Sequence, residues 1–193
     1  MSVDLTPATQ RTAGLIGGIS DEQLGAVTPN TDYRLGDLLD HVDGAALAFT
    51  AAARKDMTEE TARGASADAS HLGDDWRTRI PRDLAALAQA WQDEAAWTGM
   101  TRAGGVDLPG EVAGLVALNE VLTHGWDVAR ASGQAYDADV ASLEALLAFL
   151  APVAADDSGS AGLFGPAVSV ADDAPLLDRV IGLTGRDPAW SPH

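Results

Sequence analysis

The chain has 193 residues, no cysteine and a formal charge of −17, from 29 acidic against 12 basic side chains. Disulfides, thiolate metal sites and a cysteine nucleophile are excluded. A surface this negative repels phosphate backbones and anionic lipid, which argues against nucleic-acid and membrane partners.

Alanine-rich segments with helical spacing dominate, and alternating Val/Ile/Thr runs are nearly absent, so the pattern predicts helices and few strands. The first helix is expected over about residues 6–18, with Leu5, Thr9, Thr12, Leu15, Ile16 and Ile19 as its buried stripe and Gly17-Gly18 as its stop. Ser20-Asp21-Glu22-Gln23-Leu24 reads as a capped single turn, and Thr28-Pro29-Asn30-Thr31-Asp32 as a loop. Tyr33 is placed to plug one end of a bundle. A second helix starts at Arg34 or Leu35, with Leu35, Leu38, Leu39, Val42, Ala46 and Phe49 on its apolar stripe and His41 on the flank. Residues 54–79 form a polar connector, long for a compact domain unless it covers something. Pro81 is read as opening a third helix, where proline is tolerated, with Leu84, Leu87, Ala88, Trp91 and Ala95 buried.

Residues 104–110 are turn-rich, with room for a short extended piece. A fourth helix follows over about residues 111–131, stopped by Gly133. Residues 136–155 give a fifth and residues 174–183 a short sixth, with Gly185 behind it. The longest apolar run, residues 143–155, is broken by Glu144 and Pro152 and is too short to span a bilayer. No basic cluster followed by an apolar run opens the chain, so a cytoplasmic protein is expected. The whole reads as an all-α four-helix bundle with short extra C-terminal helices, one domain over residues 1–193 with an extension from about residue 156.

Of the four histidines, His193 ends the chain, His71 sits in the polar connector, and His41 and His124 fall beside apolar positions of strong helices. Glu120 and His124 are four apart, which puts them on one helix face a turn apart. With His41 from another helix they offer one carboxylate and two imidazoles to a divalent cation, leaving positions open for water or substrate. Zinc suits that set, and nickel, iron or manganese are compatible with it. The same spacing also describes a surface ion pair, and a lone helical histidine is also a hydrogen-bonded core residue, so spacing alone leaves both readings open. A fourth ligand from His71 would turn an open site into a closed structural one. Asp127, three residues beyond His124, is a candidate to orient an imidazole, and Arg130 to anchor a substrate carboxylate; an ion pair on the helix surface is the plain alternative for both. Trp91, Trp97 and Trp126 read as core, Trp190 as a pin for the tail, and Asn119 as structural.

Three stretches resemble the DinB-like superfamily and, within it, the short actinobacterial mycothiol-dependent maleylpyruvate isomerase-like group. They are Thr28-Pro29 with Asp37-Leu38-Leu39-Asp40-His41; the run from Glu120 through His124-Gly125-Trp126-Asp127 to Gly133; and a tail from Phe164-Gly165-Pro166 to Gly185-Arg186-Asp187-Pro188-Ala189-Trp190. The resemblance implies a four-helix bundle with one metal, often zinc, on His41, Glu120 and His124. It implies a metal-dependent enzyme acting with mycothiol or a similar thiol as co-substrate, by transfer to a small electrophile or by isomerisation through a thiol adduct. Tyr33 stands where the group usually has tryptophan, and Asn30 and Thr31 where it often has cysteine and proline. The characterised isomerase carries a second domain for which this tail leaves little room, so maleylpyruvate itself is not the expected substrate. A non-catalytic ligand- or metal-binding bundle and a metal-dependent hydrolase are the alternatives, as a monomer or homodimer.

Overall fold

The computed structural model describes residues 2–56, 58, 64–155 and 166–192. Six α-helices lie among them: α1 (Thr6–Ile16), α2 (Leu35–Ala53), α3 (Trp76–Ala90), α4 (Gly110–Ser132), α5 (Val140–Ala155) and α6 (Leu176–Leu183). A two-stranded antiparallel hairpin, β1 (Met100–Ala103) and β2 (Val106–Pro109), precedes α4. The sequence-level stripe of α1 is buried as expected, Leu5 and Ile19 included, and so is that of α2.

Helices α1 and α2 each pack against both α3 and α4, so they stand at opposite corners of a four-helix bundle. Their apolar faces meet in one core that includes Leu38, Leu39, Leu84, Leu118, Leu122 and Trp126. Helix α5 lies outside this square, against α4 and α6. At the end of α3, Trp91 donates its indole N–H to Phe49 O and Trp97 donates to Trp91 O, with the two rings edge to face at 5.0 Å. Trp91, Trp97 and Trp126 are all core residues, as the sequence suggested.

Three boundaries differ from expectation. Helix α3 spans Trp76–Ala90, so Ala95, expected on its buried face, is exposed in the turn beyond its end, and Pro81 lies inside the helix rather than at its start. Proline there forfeits one backbone hydrogen bond, but the added turn buries Trp76 and Ile80 against the core, which offsets the loss. Helix α5 begins at Val140, not near residue 136, because Asp139 Oδ1 accepts from Ser142 N and caps the first turn. Tyr136 stays outside the helix and donates its hydroxyl to Leu122 O. Helix α6 begins at Leu176, behind Pro175.

The extended piece expected near residues 104–110 is the hairpin. Its turn is Gly104-Gly105, with φ of 55° and 80°, the left-handed pair a two-residue hairpin turn requires. Gly133 ends α4 at φ 73°, as predicted. The described part of the 54–79 connector lies along α2: Asp40 Oδ2 accepts from Ser66 Oγ at 2.6 Å and from Asp68 N, and Asp37 Oδ1 accepts from Ala69 N. Gly36 and Gly44 permit this, since a Cβ on either would press on Ala69 or Ala65. Residues 57 and 59–63 of the connector, the opening of the tail at 156–165, and His193 lie outside the described residues. No helix of the described residues is long and apolar enough to cross a membrane.

Candidate metal centre

The packing of α2 on α4 brings His41 to the face carrying Glu120 and His124. Glu120 Oε2 stands 3.2 Å from His41 Nε2 and 3.3 Å from His124 Nε2. The imidazole rings meet edge to face at 4.9 Å, and the three ligand-type atoms lie within 4.8 Å of one another. Two donors held at about 2.0–2.1 Å from one tetrahedral cation stand about 3.3–3.4 Å apart, so the spacing about Glu120 fits a common ion such as zinc.

Local sequence explains the placement. The one-turn offset of Glu120 and His124 aligns them along α4. Next to His124, Gly125 lets α1 close in, because a Cβ there would collide with Thr12 Oγ1. Thr12 Oγ1 donates to Val121 O at 3.1 Å and fixes that approach. Tyr33 packs its ring 5.5 Å from that of His41. Tyr33 thus sits at the bundle end, as expected, but as a wall of the site.

His124 Nδ1 pairs with Asp127 Oδ2 at 3.0 Å, and Asp127 is fully buried. The same oxygen takes Arg186 Nη2 at 3.2 Å. Burial alone would lower the His124 pKa, but hydrogen bonds to Asp127 and Glu120 outweigh it and push it up to about 9. Burial would raise Glu120, yet the two histidines hold it well below the usual carboxylate range. Burial first, then the charges of Asp32 and Glu120, push the Tyr33 phenol up, so it remains a donor at neutral pH.

These groups open on a cleft of about 650 Å³. Its floor is His41, Glu120 and His124; its walls come from the loop at residues 29–33 and from Pro166 and residues 184–186 of the tail. His71 is elsewhere, with Nδ1 3.5 Å from Asp40 Oδ2 on the exposed flank of α2, and adds no fourth donor. None of the described residues of the 54–79 connector lines the cleft. Arg130 does not line it either: its guanidinium covers the Trp126 ring at 5.1 Å and donates to Pro188 O at 2.7 Å. It therefore clamps the tail, where a substrate anchor or a surface ion pair was expected. Asn119 is buried and accepts from Thr123 Oγ1, and both residues also line the cleft. Sequence reasoning missed Arg186. The Gly185-Arg186-Asp187-Pro188 turn carried the signal, as part of the tail resemblance, but no helical spacing links it to His124.

A helical square with a His–Glu–His cluster between α2 and α4 is the arrangement expected of the DinB-like bundle that the sequence resembles. Residues 5–129 match the family model described as the mycothiol maleylpyruvate isomerase N-terminal domain. The chain belongs to that family. It is also 31% identical over 179 residues to uncharacterised proteins from two strains of Mycobacterium tuberculosis, an alignment covering 90% of this chain and 91% of theirs. Among solved structures it is similar to the mycothiol-dependent maleylpyruvate isomerase, with a TM-score of 0.56 at 22% identity over 76% of this chain and 68% of that one. A histidine-to-alanine mutant of the isomerase gives 0.55 at 20% over the same shares. At that identity the likeness establishes the fold.

Proposed function

We propose that the chain is a metal-dependent enzyme that activates a low-molecular-weight thiol, mycothiol or one like it, for transfer to a small electrophile or for isomerisation of one. The observation that carries this reading is the convergence of three donor atoms from two helices at the floor of an open cleft. His41, Glu120 and His124 would hold the ion. When bound, a divalent ion supplies a Lewis-acid position that lowers the pKa of a coordinated thiol or water toward neutrality. The chain does the rest. Asp127 accepts from His124 Nδ1, which fixes the tautomer so that Nε2 faces the cluster. Arg186 holds Asp127 from the other side. Tyr33 packs its ring against that of His41 and forms a wall of the cleft.

The test begins with metal analysis of tag-free protein. We expect about one equivalent of zinc, nickel, iron or manganese in the wild type and none in His41→Ala or His124→Ala. Ion retained in both variants would remove the site. Loaded protein is then incubated with mycothiol and a haloaromatic acceptor; thioether formed above the uncatalysed rate supports transfer. Binding of the thiol without turnover, across varied electrophiles, would assign the chain as a ligand-binding bundle instead.

A further inference from the structure

One polar pair of the cleft stands apart from the cluster. Asn119 and Thr123 form a second stripe on α4, each one residue before a donor of the cluster, Glu120 or His124. Both are 2% exposed and both line the cleft. Thr123 Oγ1 donates to Asn119 Oδ1 at 3.3 Å, which occupies the amide oxygen. Neither N–H of that amide has a partner among the described residues, and its nitrogen is open to the cleft. Unmade hydrogen bonds at a buried amide are costly, so the position calls for an acceptor atom that the described residues do not supply.

The charge of the cleft decides which acceptor fits. Arg186 is the one lysine or arginine among the described residues that line it. Its Nη2 donates to the buried Asp127 carboxylate, its Nη1 donates to Thr184 O, and its Nε is sealed from solvent, so its charge is already matched. The two charges of a divalent ion would be met by Glu120 on the floor and Asp32 in the wall. The net charge of −17 repels anions from a distance as well. Tyr33, a further donor in the wall, is neutral at neutral pH. An anion brought here would give up its water without gaining a countercharge. A neutral oxygen exchanges one hydrogen bond from water for one from Asn119.

We infer that Asn119, held by Thr123, selects the small electrophile: its amide donates to an uncharged carbonyl oxygen of that molecule, and a carboxylate in the same place is disfavoured. The inference rests on the reading of the cleft as the place where an electrophile reacts, and it names the class that enters, neutral carbonyl compounds.

Saturation-transfer NMR titration of full-length, zinc-loaded protein with two probes of one shape tests it. The probes are pent-3-en-2-one, a neutral ketone, and crotonate, in which a carboxylate oxygen replaces the terminal methyl group beside the carbonyl. The ketone should bind about tenfold more tightly, the size of one hydrogen bond. Asn119→Ala should lose that preference at unchanged zinc content. Because Asn119 is buried, Asn119→Leu, which keeps the shape but has no N–H, is read beside it and should lose the preference too. Thr123→Val, which frees the amide to rotate, should lose part of it. Equal affinities in the wild type, tighter binding of crotonate, no detectable binding of the ketone, or a preference that persists in a folded Asn119 variant would each overturn the assignment. Addition of mycothiol then separates it from the thiol reading. A ketone preference that depends on Asn119, with no thioether formed from any electrophile, upholds the oxygen site while the thiol reading fails. Thioether formed without such a preference upholds the thiol reading and ends the role of Asn119.

Discussion

At the scale of single residues, the site depends on a relay of three side chains from two segments. Asp127 Oδ2 receives both His124 and Arg186, so a buried carboxylate stands between the imidazole and the tail. Asp127→Asn keeps the shape but loses the charge that holds both partners. Removal of such an orienting group typically costs 10–100-fold in metal affinity, and we expect a loss of about that size, read by chelator competition, with the circular dichroism spectrum unchanged. Wild-type affinity in Asp127→Asn would make the pairing incidental. The same residues predict a pH dependence for metal-free protein. The folded-state pKa of His124 is raised from 6.5 to about 9, so its stabilising contribution is complete below 6.5 and disappears as pH rises through about 9. Glu120 is shifted down from 4.5, so its contribution is complete above 4.5 and fades as pH falls below it. Urea midpoints of metal-free protein should therefore be highest between these limits and drop toward pH 9. Because His124 must shed its proton to bind an ion, metal affinity should rise over the same interval. A midpoint flat from pH 6 to 9 would contradict the charged pairing.

At the scale of elements, the cluster exists because helices approach closely where small residues allow it. Gly125 is the clearest case. A methyl group there would meet Thr12 Oγ1 and the Tyr136 hydroxyl and force α1 away from α4 next to His124. Gly125→Ala gains helix propensity, yet overpacking of this kind costs about 1–3 kcal/mol, and we expect a net loss of stability with weaker metal binding. A stabilised Gly125→Ala protein would show that α1 can shift without cost. The hairpin also sets a helix position, since Thr101 Oγ1 donates to Ala52 O at 2.6 Å and ties β1 to the end of α2. It thereby helps fix the distance between the two helices that carry the donors.

At the scale of the whole molecule, the tail returns to the bundle and becomes a wall of the site. Arg130 on α4 grips Pro188 O, Arg186 reaches Asp127, and Trp190 packs against the core. Arg130→Ala should loosen residues 184–191, seen as faster amide exchange there, while the bundle helices keep their protection. Exchange unchanged in the tail would assign its anchoring to Arg186 and Trp190 alone. Metal affinity should fall less than in Asp127→Asn, because Arg186 and Trp190 remain.

The helices, their buried stripes, and the candidate donors were legible in the amino-acid order because helical periodicity is local: a spacing of four aligns Glu120 with His124 whatever surrounds them. His41 was the one remaining histidine beside an apolar helical position, and the resemblance of the motifs added to that reading. The start of α3 was not legible, since burial of Trp76 and Ile80 overrides the local preference of Pro81. Neither was the exchange of roles between Arg130 and Arg186. Arg130 lies within a turn of Asp127 on the same helix and Arg186 far off in the tail, yet which one reaches Asp127 depends on how the tail folds back over α4, across 59 positions of chain. Pattern along a helix is decided by neighbours in sequence; the walls of a cleft are decided by packing between segments that share no period, and only the folded chain brings those together.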